Sequence, residues 1–184
     1  DYCGQSHGIA VANGTVALQV AVEALGIGQG AEIIMPSYTI ISCALAAVRV
    51  GAKPVLVDCC PRTYNMRTDQ IEAKITSATK AIMVVHMFGH PVDMDPVLAL
   101  AKKHGLAIIE DAAEVHGAQY LSGRDTAKPE WRTCGGMGHI ATFSFFANKL
   151  ITTGEGGMLL TSDDKLAKRC RDLRNLCFRP DRRF

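Results

Sequence analysis

Several features are scarce in this 184-residue chain, and each scarcity removes a class of protein. No apolar run approaches the ~20 residues that a membrane-spanning helix needs. No secretory-signal pattern opens the chain, which starts abruptly at Asp1, Tyr2 and Cys3. The seven cysteines are odd in number and include no Cys-x-x-Cys pair. Neither a disulfide framework nor a zinc site is therefore expected, and reduced thiols in a cytoplasmic protein are the simpler reading. Net charge is low, at +2. The one strongly basic stretch, residues 165–184, carries eight Lys/Arg against two Asp and leaves 12 basic and 16 acidic residues in the remainder. It lacks interleaved aromatics and follows a helical pattern, so a solvated helix face is expected there, with no nucleic acid and no membrane as partner. No internal repeat or low-complexity segment is evident.

What is present describes one globular domain with room for a substantial core: 48% hydrophobic and 21% charged residues. Short apolar runs alternate with helical spacing. Strands are expected at 9–12, 32–36, 53–58, 81–86, 106–111, 140–145 and 157–161. Helices are expected at 16–25, 39–50, 68–75, 95–104 and from an Asp163 cap to about residue 175. Residues 122–133, with Pro129, Trp131 and several charges, read as a surface loop. This alternation predicts an α/β fold with a mostly parallel sheet flanked by helices, with residues 157–161 returning as a hairpin strand.

Three places could carry chemistry. Asn13-Gly14-Thr15 lies between a strand and a helix start, where free N–H groups and the helix dipole favour an anion. Glu110 and Asp111 end a buried strand, and an acidic group there needs a partner. Lys149 follows an aromatic run and precedes Thr-Thr-Gly-Glu-Gly-Gly. A lysine with apolar flanks can be desolvated, which lowers its pKa and frees the amine as a nucleophile. His86 and His90, at a strand's end without metal-like partners, read as structural, and the vicinal Cys59 and Cys60 as loop residues.

The run Ser-Phe-Phe-Ala-Asn-Lys-Leu-Ile-Thr-Thr-Gly-Glu-Gly-Gly-Met, residues 144–158, resembles the cofactor-lysine segment of the DegT/DnrJ/EryC1/StrS sugar aminotransferases, and within them most resembles the GDP-perosamine synthase branch. The likeness extends over nearly the whole chain, with the motifs in the family's order. It implies the large domain of a fold-type-I transferase dependent on pyridoxal 5'-phosphate (PLP), here a seven-stranded, mostly parallel sheet spanning 1–184. It also implies a chain incomplete at both ends, without the smaller C-terminal domain. Lys149 would hold PLP as an imine and move the proton. Asp111 would pair with the pyridine nitrogen, Glu114 would approach the ring oxygen, and Gly14, Thr15 and Ser144 would bind the phosphate. Ile40 stands where the family usually has an aromatic residue over the ring, and His139 where it often has Asp.

The implied reaction moves an amino group from glutamate to a keto group of a nucleotide-linked deoxysugar, of the GDP-4-keto-6-deoxymannose type, in a cytoplasmic homodimer. A PLP-dependent sugar dehydratase of the same family is one alternative, but such relatives carry His in place of the lysine. A non-catalytic PLP-binding or regulatory homologue is another, opposed by the joint presence of Lys149, Asp111 and Ser144. No metal site is expected.

Overall fold

Runs such as Ile33-Ile34-Met35 are buried on both faces, as a parallel sheet covered by helices requires. The computed structural model describes residues 2–176. Its strands are β1 (His7–Val11), β2 (Glu32–Pro36), β3 (Lys53–Val57), β4 (Thr79–Val85), β5 (Ala107–Asp111), β6 (Gln119–Ser122), β7 (Glu130–Thr133), β8 (Ile140–Ser144) and β9 (Gly157–Thr161). Its helices are α1 (Gly14–Ala24), α2 (Ile41–Arg49), α3 (Met94–His104) and α4 (Asp164–Arg174).

Seven strands form one sheet in the order β1-β9-β8-β5-β4-β2-β3. The β2–β3, β2–β4, β4–β5 and β5–β8 pairings are parallel, and β9 runs antiparallel to both β1 and β8. The α/β architecture expected from the alternation is thus present, with one antiparallel strand. Strand alternation divides the core between the two faces. Ile33, Met35, Ala81, Met83 and Ile109 join the cluster that includes α1, α2 and α4 residues; Ile34, Ile82, Val84 and Ile108 join the cluster that includes α3 residues.

Helix boundaries follow their chemical signals. Asn13 caps α1 by accepting the Val16 N–H through Oδ1 at 3.0 Å. Gly105 ends α3 in the left-handed conformation at φ 65°. Asp163 caps α4 by accepting from Leu166 N–H. That helix carries residues 165–174 of the basic stretch, while residues 177–184 lie outside the described residues.

Two expectations are corrected. Residues 68–75 form two short 3-10 turns, Thr68–Gln70 and Glu72–Lys74, instead of one α-helix. Eight residues barely cover the cost of helix nucleation. Asp69 pairs with Arg67 at 2.6 Å, and buried Ile71 separates the turns. Residues 122–133 are not all loop either: β6 and β7 make a two-stranded antiparallel ribbon. The ribbon is held on α3, where Asp95 accepts from Ser122 Oγ at 2.6 Å and Gly123 N–H at 2.8 Å. The charges of Glu130 and Arg132 and the exposed Trp131 hid β7, because the strand faces little core.

Among the described residues, no helix is long and apolar enough to cross a membrane, the six cysteines are free thiols, and no group of three His, Cys, Asp or Glu is placed to hold a metal.

Candidate functional site

The ends of β4, β5 and β8 meet the starts of α1 and α2 around a cavity of about 200 Å3. Gly14, Thr15, Ile40, Asp111, Glu114, Ser144 and Lys149 all line it. These are the residues singled out in the sequence, drawn from four separate stretches of the chain.

At one end, helix geometry leaves the Gly14 and Thr15 N–H groups without an intrahelical acceptor. Thr15 Oγ1 and Ser42 Oγ are 2.8 Å apart, which ties the starts of α1 and α2 together. Only glycine fits at position 14: a Cβ there would lie 2.8 Å from the Cβ of Ser144. A Cβ on Gly157 would lie 2.4 Å from the Asn13 carbonyl carbon. The two glycines therefore let α1 approach β8 and β9 closely enough for Ser144 to face the helix start.

Deeper in, Asp111 is almost fully buried. Its carboxylate accepts the Cys43 thiol at 3.3 Å and the Ala113 N–H at 3.1 Å. Burial outweighs these bonds and pushes the Asp111 carboxyl above its ordinary value. Burial and the neighbouring Asp111 push the Cys43 thiol up as well, which keeps it protonated and donating. A cationic N–H donor facing Asp111 would relieve that desolvation.

At the mouth, Lys149 Nζ lies 3.1 Å from Glu114 Oε1, and Glu114 Oε2 accepts the Phe88 N–H at 3.0 Å. Lys149 is 17% exposed, but the apolar flanks expected to desolvate it do not do so. Phe146, Leu150 and Ile151 are themselves exposed. The lysine is covered by the cavity wall and met by a carboxylate, and this corrects the local reading of its sequence. Ile40 is largely exposed and borders the open side.

Glu110 serves the opposite face of β5. Burial works against its charge, yet hydrogen bonds from His86, Gly135 and Gly138 hold it below the usual carboxylate range. His86 Nδ1 accepts the Val92 N–H at 3.0 Å, so Nε2 carries the proton that Glu110 receives at 3.2 Å. The sequence reads His86 as structural. It is, and it also lines the cavity. The residues missed were Ser42, Cys43 and Asn148. The first two were visible only as small polar side chains near a helix start, directly after the expected ring-covering position.

The DegT/DnrJ/EryC1/StrS aminotransferase family is matched across residues 1–184. The chain is 51% identical over 184 residues to the GDP-perosamine synthase of Caulobacter vibrioides, covering 100% of this chain and 47% of that protein. It is 47% identical over 173 residues to a UDP-N-acetyl-3-dehydro-alpha-D-glucosamine 3-aminotransferase of Acidithiobacillus ferrooxidans, covering 94% of this chain and 44% of that one. Among solved structures, DesV of S. venezuelae, crystallised with a ketimine intermediate, superposes with TM-score 0.87 at 42% identity, over 97% of this chain and 46% of that one. The chain thus spans about half the length of the relatives it matches.

Proposed function

This chain belongs to the DegT/DnrJ/EryC1/StrS aminotransferase family, and from that premise we propose that it is the PLP-binding large domain of a sugar aminotransferase. The reading is carried by one observation: the candidate lysine, the candidate pyridine partner and the candidate phosphate groups all line a single cavity.

The residues present fit PLP. A buried carboxylate that forms no ion pair among the described residues suits a pyridinium N–H, and a helix start with free N–H groups beside a serine suits a phosphate. When bound, PLP supplies the electron sink and carries the amino group between donor and acceptor. Lys149 would bear it covalently and, once released, would pass a proton at Nζ. Glu114 would orient that amine and stand near the ring oxygen. Asp111 would accept from the pyridinium N–H, and Cys43 and Ala113 hold its carboxylate for that purpose. Gly14, Thr15 and Ser144 would bind the phosphate, and Ile40 would cover the ring by dispersion alone, without the aromatic term of about 0.5–1.5 kcal/mol.

The finer reading is transfer from glutamate to a nucleotide-linked keto-deoxysugar of the GDP-4-keto-6-deoxymannose type, in a cytoplasmic homodimer. The identity to a GDP-perosamine synthase supports the sugar. A dehydratase is disfavoured because the position carries Lys149, not His. Two measurements test the proposal. Borohydride reduction of the PLP-loaded protein should place the pyridoxyl label on the peptide containing Lys149, and label on any other lysine would sink the assignment. Exchange of labelled nitrogen between glutamate and 2-oxoglutarate should occur in the loaded protein. A protein that binds PLP without exchange would be a binding or regulatory homologue.

A further inference from the structure

Three aromatic side chains stand together beside the cavity mouth, outside the residues that line it. Tyr38 follows β2, Tyr64 lies in the loop after β3, and Phe88 lies in the turn after β4. Their ring centroids are 5.5 Å (Tyr38–Tyr64), 5.7 Å (Tyr64–Phe88) and 6.3 Å (Tyr38–Phe88) apart. Large rings in mutual contact usually mark a buried cluster, yet these are 48%, 47% and 64% exposed for Tyr38, Tyr64 and Phe88.

Their backbones are also unusual. Among the described residues only three non-glycine residues have positive φ, and two of them are Tyr64 at 60° and Phe88 at 52°. Bulky residues seldom take that conformation, and such residues gather where a ligand is held. The cluster is continuous with the candidate site on two sides. The Phe88 N–H is bound by Glu114, whose other oxygen meets Lys149. Tyr38 is followed directly by Thr39 and Ile40, both in the cavity wall.

We propose that Tyr38, Tyr64 and Phe88 form a stacking platform for the planar base of the nucleotide-linked substrate. The inference rests on the nucleotide-sugar reading above. The reacting sugar carbon must reach Lys149, so the base, at the other end of the diphosphate, has to lie outside the 200 Å3 cavity. An exposed aromatic surface one residue from the cavity wall is where it can rest. Every base offers a π-face, so the platform supplies affinity for a nucleotide without choosing among bases.

The test measures binding of GDP and of inorganic pyrophosphate to the full-length holoenzyme by calorimetry. In Phe88→Leu and Tyr64→Leu the GDP dissociation constant should rise about ten-fold relative to that of pyrophosphate, and Phe88→Tyr and Tyr64→Phe should restore it. Equal weakening of both ligands, or none, would overturn the platform. Leucine variants that change the oligomeric state while keeping GDP affinity would also overturn it, by showing that the rings cover another subunit. Failure of the unaltered holoenzyme to bind GDP, alongside intact glutamate exchange, would instead remove the nucleotide-sugar reading itself.

Discussion

Glu114 joins Lys149 to Phe88: one carboxylate oxygen takes the ammonium at 3.1 Å and the other takes a backbone N–H at 3.0 Å. The group that orients the candidate lysine therefore also anchors a left-handed residue in the turn after β4. Glu114→Gln keeps an acceptor for Phe88, whereas Glu114→Ala removes both contacts. The alanine variant should lose about 1 kcal/mol of stability, since the ion pair is partly exposed and worth little by itself. Amide exchange at Phe88 should accelerate in the alanine variant and not in the glutamine one. Equal exchange in the two variants would show that Glu114 does not hold the turn.

Gly14→Ala tests the close approach at the helix start. The new Cβ would meet the Cβ of Ser144 at 2.8 Å, so α1 or β8 must shift. Overpacking of this kind costs about 1–3 kcal/mol. If Gly14, Thr15 and Ser144 bind the phosphate, the variant should lose at least about ten-fold in PLP affinity, with far less change for pyridoxal, which lacks the phosphate. Equal loss for both ligands, measured by equilibrium dialysis, would place the damage elsewhere.

Most of this site was legible because it is written in contiguous motifs. Asn13-Gly14-Thr15, Glu110-Asp111 and the run around Lys149 each sit at the end of a strand whose apolar pattern is plain. The contributors that stayed hidden act across the fold. Cys43 meets Asp111 from 68 positions away, and nothing local distinguishes it from a core cysteine. The burial of Lys149 was misattributed for the same reason: chain neighbours predict what lies beside a residue in sequence, while much of the cavity wall comes from β4, β5 and the starts of α1 and α2. The ribbon of β6 and β7 escaped because polar bonds to Asp93 and Asp95 hold it in place, and no apolar alternation marks it. The platform aromatics were visible as residues, but their assembly depends on three separate loops.

Asp111 gives a pH-dependent signature in the PLP-free protein. Its carboxyl is raised above the ordinary value of 3.8, chiefly by burial. Between that value and the raised one, the folded protein keeps a proton that the unfolded chain has lost. Stability contributed by the protonated form is present below the unfolded value and is lost as pH rises through the folded one. Asp111→Asn removes the buried ionisation, so the PLP-free variant should melt above the unaltered protein near neutral pH. The gap should narrow as pH falls toward 3.8. In the PLP-loaded proteins the order should reverse, because the charge then has its pyridinium partner. A gap that does not change with pH would show that Asp111 is not the group responsible.

His139 stands where the family often has Asp, and the structure shows what it does. Its Nδ1 accepts the Ile108 N–H at 2.9 Å, next to the start of β5, and the backbone N–H of His139 donates to the Ile108 carbonyl at 3.0 Å. An aspartate oxygen at this position could fill the same acceptor role. Ile108 is buried, and an unpaired backbone N–H there costs about 1–3 kcal/mol. His139→Ala should therefore lower unfolding free energy by about that amount in urea titrations, with the slope against urea unchanged. His139→Asp should recover most of the loss. The effect should be confined to stability, since β5 carries Asp111 at its far end and keeps its pairing with β4 and β8. An alanine variant as stable as the unaltered protein would show that water serves the Ile108 N–H equally well.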